Sequence, residues 1–205
     1  MDNNKQKTKF HDIERKIIHI IVGLSLILFV HYNIINNLIL LLIVIIGFFT
    51  SALHKNYKIP ILKFFTERFG REDEEKIPAR GLLTLLTGSL ISLSIYPLNI
   101  ALTSIIILSI GDSFSYIIGK YFGKIKIPWN KKENIEGPII AGVLSVLFVY
   151  SFNLIGFIIR SHYLLIFLTA FLVTSIDVKI GKWNVDDNLT IPVVSGGILF
   201  LATFL

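Results

Sequence analysis

NIALTSIIILSIGDSFSYIIGKYFGKIKIPWNKKENIEG, residues 99–137, is the stretch on which the reading of this chain turns. Its first half, Asn99 to Ile118, is apolar and long enough to cross a bilayer as a helix, which takes about 20 such residues. One acid, Asp112, interrupts it. An ionised carboxylate at membrane depth costs ~2.5–3.5 kcal/mol even on the mildest scale, so it marks a functional-site candidate. Asp112, Ser115, Gly119 and Gly123 recur every three to four residues and form one helical stripe of small or polar side chains. The chain then leaves the apolar run through Lys120, Lys124, Lys126, Lys131 and Lys132 and closes on Glu136-Gly137. Acid, glycines, lysines, acid is an order that suits a metal-bound polyphosphate. Carboxylates hold a hard cation through oxygen, glycines admit close backbone approach, and lysines meet phosphate charge.

The whole chain agrees with a membrane setting. Of its 205 residues, 53% are apolar and only 17% are charged, a balance too apolar for a soluble domain. With no cysteine, disulfides and thiolate metal sites are excluded. The formal net charge of +6 reads as loop lysines of a membrane protein rather than as a nucleic-acid footprint. The N-terminal basic segment followed by apolar residues is expected to be a retained first span, since no small-residue cleavage site follows it.

The expected fold is an all-α polytopic membrane protein, one integral-membrane domain over residues 1–205. About seven spans are predicted, near 14–32, 34–53, 80–97, 98–118, 137–159, 163–180 and 189–205. With these spans, all but one of the 20 Lys and Arg fall on one side, Arg160 being the exception. The positive-inside rule then places the N-terminus in the cytoplasm. Between Pro60 and Gly70, Ile61, Phe65 and Phe69 recur every four residues with Leu62 beside them. That spacing predicts an amphipathic helix in the cytoplasmic interface.

The same end of the molecule collects the other unusual polar groups. In the first span, Lys16, His19 and Gly23 share a face, either as a site element or as a snorkelling flank with a helix-contact histidine. Arg80, Gly81, Thr84, Thr87 and Gly88 open the third span. Asp177 is an acid late in the sixth, followed by Asp186, Asp187 and Asn188 just before the seventh. These acids and the amide suit a metal or a nucleotide, while Asn188 also suits a helix cap. Gly119 and Gly123 equally make a packing GxxxG. GKYFGKI lacks the spacing of a P-loop, and neither a nucleophile elbow, a zinc-protease helix nor a soluble-kinase loop is present.

Taken together, these motifs resemble a family. Gly111-Asp112 with Ser115, Gly119 and Gly123, then Lys132 and Glu136-Gly137, is similar to the shared signature of membrane enzymes that use CTP. These are the dolichol and phytol kinases, the CTP-dependent diacylglycerol kinases, and the phosphatidate and archaeol cytidylyltransferases. RKIIH (15–19), Arg80-Gly81 with Gly88, Asp177 and DDNLTIP (186–192) resemble the polyprenol and phytol kinase branch. The glycine-rich ending of the cytidylyltransferases is absent. Glu133-Asn134 stands where the family often has Lys-Ser/Thr, Ser115 replaces a usual alanine, and Asp177 stands where Glu is common.

The resemblance implies transfer of the γ-phosphoryl of CTP to a long-chain isoprenoid alcohol, with Mg2+ or another divalent cation. Asp112, Glu136 and Lys132 are the catalytic candidates. Asp112, Asp187 and Asp177 are the metal candidates. Lys16, His19, Gly119, Lys120, Gly123, Lys124, Lys131, Gly137 and Asn188 are the nucleotide candidates. The implied partners are the bilayer, CTP and the lipid alcohol, with no nucleic acid. The implied site lies on the cytoplasmic side, in a prokaryotic plasma membrane rather than the endoplasmic reticulum. A cytidylyltransferase making a CDP-lipid, and a transporter with Asp112 and Asp177 on an ion path, are the alternatives.

Overall fold

A computed structural model describes residues 3–57, 78–156, 162–176, 179–180 and 183–204. The expected interfacial helix near 60–70 and Asp177 lie outside the described residues. Helices α1 (Asn3–His31), α2 (Asn37–Tyr57) and α3 (Arg80–Ile95) come first. A central rod follows, made of α4 (Leu98–Ile106), a wider π turn (Ile107–Asp112) and α5 (Ser113–Tyr121). After a folded loop come α6 (Glu136–Leu154), α7 (Tyr163–Ser175) and α8 (Asp187–Leu201). Between α7 and α8 a short antiparallel ribbon pairs β1 (Lys179–Ile180) with β2 (Trp183–Asn184). α7, the sixth of the expected spans, is therefore shorter than the sequence pattern suggests. It stops at Ser175, whose hydroxyl folds back on the Leu172 carbonyl at 2.9 Å, and Ile176 is already extended.

The bundle is wrapped around the central rod because the first half of that rod is largely apolar all round. Ile100, Ala101, Ile105, Ile106, Ile107, Leu108 and Ile110 are all buried, as expected of a helix without a polar side. α2 lies at the rim, with Leu42, Ile45, Ile46 and Phe49 exposed. A wide exposed apolar surface of this kind would be a liability in water and is the normal face of a protein in lipid. Four helical stretches are long and apolar enough to cross a membrane: Asn37–His54, Leu98–Tyr121, Glu136–Leu154 and Asp187–Phe204. α3 and α7 are apolar but shorter, with 16 and 13 residues. α1 carries Glu14, Arg15 and Lys16 ahead of its apolar half.

Small residues let the rods approach. A side chain at Gly88 would meet the Asn188 carbonyl at 2.2 Å, so α3 and α8 touch backbone to backbone there. The same contact is reinforced by Asn188, whose Nδ2 donates to the Gly81 carbonyl at 3.2 Å and to Thr84 Oγ1 at 3.1 Å.

Candidate active site

The π turn ends on Asp112. Such a turn adds a residue to the helical circuit and re-aims the side chains that follow it. The carboxylate of Asp112 meets Lys16 of α1, Nζ to Oδ2 2.5 Å, with the two side chains only 14% and 5% exposed. Lys16 is therefore an internal cation fixed against the rod rather than a snorkelling flank. His19, one turn further along α1, is buried as well. Tyr116, one turn after Asp112, lies under three cations, its ring centroid 5.0 Å from Lys16, 5.0 Å from Lys120 and 5.7 Å from Arg15. The negative face of the ring offsets part of their mutual repulsion.

Beside this pair is a polar cavity of about 130 Å³. Lys16, Asp112, Ser115 and Tyr116 form one wall, Glu133 comes from the loop, and Thr174 and Asp187 come from α7 and α8. Asp187 sits in the first turn of α8, where the helix dipole favours an anion. Three of the residues nominated from sequence, Lys16, Asp112 and Asp187, thus meet at one place. Among the described residues no three acids or histidines are grouped as a ready-made metal cage. The carboxylates of Asp112, Asp187 and Glu133 line the cavity without forming such a cage. Glu133 was not nominated. It is one of the two positions at which the chain departs from the Lys-Ser/Thr pattern, and the departure puts an acid in the cavity wall.

The other nominees are placed elsewhere. Glu136 does not reach Lys132; its Oε1 accepts from the backbone N–H groups of Lys124 at 2.8 Å and Ile125 at 3.1 Å. It is a clamp on the loop, at the first turn of α6. Gly119, Gly123 and Gly137 are positions of close packing. A side chain at Gly137 would strike the Ser115 carbonyl at 2.5 Å, and one at Gly123 would strike Asn134 Cβ at 2.4 Å. Gly119 lies against Gly137 and accepts from Asn134 Nδ2 at 2.6 Å. These contacts seat α5 against the start of α6. Asn188 spends its amide on α3, and the helix cap belongs to Asp186, whose Oδ1 accepts from Asn188 N at 3.1 Å.

The lysine loop is folded. Backbone bonds Ile127 N to Glu133 O (3.1 Å) and Ile135 N to Ile125 O (2.9 Å) close it, and buried Ile127 anchors it. Asn130 Nδ2 donates to the Ser175 carbonyl at 3.4 Å, tying the loop to the end of α7. Lys124, Lys131 and Lys132 are exposed on its outer side. Lys120 does not line the cavity but lies beside Tyr116, which does; its Nζ donates to Tyr116 Oη at 2.7 Å and to Asp12 Oδ2 at 2.5 Å. Asp12 also accepts from Tyr121 Oη at 3.0 Å. Burial pushes the Asp12 carboxyl up, but the hydrogen bonds from Lys120 and Tyr121 outweigh it and hold the group below its ordinary range. Sequence reading missed Asp12, Tyr116 and Glu133. The periodicity of Asp12, Lys16 and His19 on one helix face, and of Asp112, Tyr116 and Lys120 on another, was the available signal.

Comparison with known proteins agrees with this setting. The chain is 31% identical over 151 residues to a protein named probable phytol kinase, chloroplastic, of Triticum aestivum, a match covering 69% of this chain and 49% of that protein. It is 36% identical over 105 residues to the farnesol kinase, chloroplastic, of Arabidopsis thaliana, covering 47% of this chain and 33% of the relative. It is 24% identical over 208 residues to CTP-dependent diacylglycerol kinase 1 of Schizosaccharomyces pombe, covering 96% of this chain and 95% of the relative. The chain thus spans half or less of the two plant proteins and nearly all of the yeast one. No protein-family model matches the chain, and no solved structure matches it. The apolar helices and these relatives together make it an integral membrane protein. By sequence, the chain is similar to proteins named as phytol, farnesol and CTP-dependent diacylglycerol kinases.

Proposed function

We propose that this chain transfers the γ-phosphoryl group of CTP to the hydroxyl of a long-chain isoprenoid alcohol of the dolichol, polyprenol, phytol or geranylgeraniol type. The products are a polyprenyl phosphate and CDP. The observation that carries the reading is the meeting of Lys16, Asp112, Glu133 and Asp187 around one small cavity at the end of apolar helices. Phosphoryl transfer asks a protein for positioning and charge neutralisation more than for covalent chemistry.

The donor set fits Mg2+, which takes one or two carboxylates and fills its octahedral shell with water and substrate phosphate. Asp187 and Glu133 would hold it, and it would neutralise charge on the phosphates. The chain's own groups do the rest. The alcohol oxygen attacks the γ-phosphorus, the bond from that phosphorus to the bridging oxygen breaks, and CDP leaves with the electron pair. Asp112 accepts the hydroxyl proton. Lys16, held against Asp112, meets the negative charge on the transferring group, and Lys120, beside Tyr116, meets the remaining phosphates. Charge asymmetry of the loops supports a cytoplasmic N-terminus and a cytoplasmic site.

The test is which phosphorus moves. The purified protein is supplied with Mg2+, mixed prenols and CTP labelled at the α or the γ position. Lipid-phase label is expected from γ-labelled CTP alone, and only when a free alcohol is present. Label from the α position, with a lipid phosphate required, identifies a cytidylyltransferase instead. No lipid label from either position, with several prenols tried, sinks both.

A further inference from the structure

The polar cavity does not end at its acids. Val173, Ile176 and Ile191 line it, and the same three residues line an apolar groove of about 170 Å³ between α7 and α8. Leu172 continues the groove on α7, and Val194 and Ile198 continue it on α8. The spacing Ile191, Val194, Ile198 puts three branched side chains on one helix face. Leu172, Ile176 and Val194 are 43%, 48% and 41% exposed, so the groove is open along its side, toward lipid. From Ile191 to Ile198 it runs roughly 10 Å along α8, at ~1.5 Å per residue.

We infer that this groove holds the hydrocarbon chain of the acceptor next to its hydroxyl, a proposal that rests on the kinase reading. The continuity of the two spaces selects an occupant with one polar end and a hydrocarbon tail. CTP is excluded from the groove, because a charged or hydrogen-bonding group there would lose water and find almost no partner. An acceptor chain entering sideways keeps its tail in apolar surroundings while its hydroxyl reaches the Lys16–Asp112 pair. Only the first part of the chain fits within this length, and the remainder lies in the bilayer. The groove therefore reads the structure of the alcohol near its hydroxyl and is indifferent to total length beyond that.

The experiment compares Ile198→Trp and Val194→Trp with wild type on a twenty-carbon prenol and on a five-carbon prenol that does not reach Ile198. Phe49→Trp, on the exposed face of α2, is the control and is expected to leave both rates unchanged. Ile198→Trp is expected to lower kcat/KM for the long prenol about tenfold, the loss of about two buried methylene groups at ~0.8 kcal/mol each. The short prenol should change less than about twofold. Equal losses on both alcohols, or no loss on either in a folded and active variant, overturn the groove. A second measurement needs no turnover: a prenol carrying a diazirine beside its hydroxyl is expected to label peptides of α7 and α8. Labelling confined to α2 or α3 overturns the groove even if the Trp variants fail to fold. If wild type transfers no phosphoryl group to any alcohol, the kinase reading fails on its own, and label at α7 and α8 still reports where a prenol sits.

Discussion

Removing one charge of the Lys16–Asp112 pair tests the site most directly. Asp112→Asn keeps the shape of the side chain and deletes its charge. The pair is short and largely out of solvent, 2.5 Å with exposures of 5% and 14%. Breaking a buried pair by deleting one partner costs about 3–5 kcal/mol, because the other charge is left uncompensated. Asparagine can still accept a hydrogen bond from Lys16, so the lower end, about 3 kcal/mol, applies here. For a chain of this size that lowers the unfolding midpoint by roughly 6–12 °C. Lys16→Met is expected to cost a similar amount.

The double variant Lys16→Met, Asp112→Asn separates stability from chemistry. With no stranded charge, it should recover most of the lost stability, giving a coupling of about 2 kcal/mol or more. Its turnover should stay low. Loss of proton acceptance and phosphate neutralisation in the transition state costs on the order of a hundredfold or more. The assay is thermal unfolding in detergent followed by γ-transfer from labelled CTP on the same preparations. If the double variant recovers turnover together with stability, the pair only holds α1 to the central rod and the catalytic assignment is wrong.

Other substitutions divide the remaining nominees. Glu136→Gln should speed hydrogen exchange at the amides of Lys124 and Ile125, which its carboxylate holds, and lower turnover only a few-fold; a hundredfold loss with unchanged exchange would make it the proton acceptor. Asn188→Ala should cost about 1 kcal/mol through the loss of its hydrogen bonds to Gly81 and Thr84 without changing the KM for CTP, and a tenfold rise in that KM would return it to the nucleotide. Asp12 is held below its ordinary range in the fold, so the stability it contributes is present above about pH 4 and is lost as pH falls below that. The difference in unfolding midpoint between wild type and Asp12→Asn should accordingly shrink between pH 6 and pH 3; a constant difference refutes the linkage. In this cysteine-free chain, Lys131→Cys should resist an impermeant thiol reagent in intact cells and react after lysis, and labelling from outside would reverse the orientation.

Four of the helical rods were legible in the sequence because each is a long apolar run, and such runs have few alternatives in a membrane. The central rod could be picked out from Asn99 to Ile118 alone, since an all-round apolar stretch must be buried. What the pattern could not give was the partner of each polar group. Asp112 was readable as an expensive acid, but its cation is 96 positions away on α1, and no periodicity carries that distance. Glu136 and the glycines at 119, 123 and 137 were assigned by their order along the chain. Order is kept in the fold, while the contacts they make there are local: Glu136 holds two loop amides and the glycines admit a close helix contact. The end of α7 escaped for a different reason. Its apolar pattern runs on through Ile176, and the helix is stopped by backbone geometry that hydropathy does not register.

Departures from ordinary helix rules gather along one part of the central rod. The π turn over Ile107–Asp112 is there. Ser109 and Ser113, within and just after it, carry buried hydroxyls without a hydrogen-bond partner, as does Ser145 of α6 across from Gly111. Gly23 of α1 presses on the same turn, for a side chain there would overlap Ser109. Buried unpaired hydroxyls and a widened turn each cost stability, and a membrane helix free of function would have alanine and leucine in their place. All of them lie in or against the turn that ends on Asp112. The costs make sense together if the turn is shaped to bring that one carboxylate onto Lys16 at the cavity wall, since sequences break local rules mainly where function requires it. On this argument Gly23→Ala, far from any substrate, should displace the turn and lower turnover through Asp112. The Asp112→Asn background should be insensitive to the same change, and a further loss in that background would mean that the turn serves packing alone.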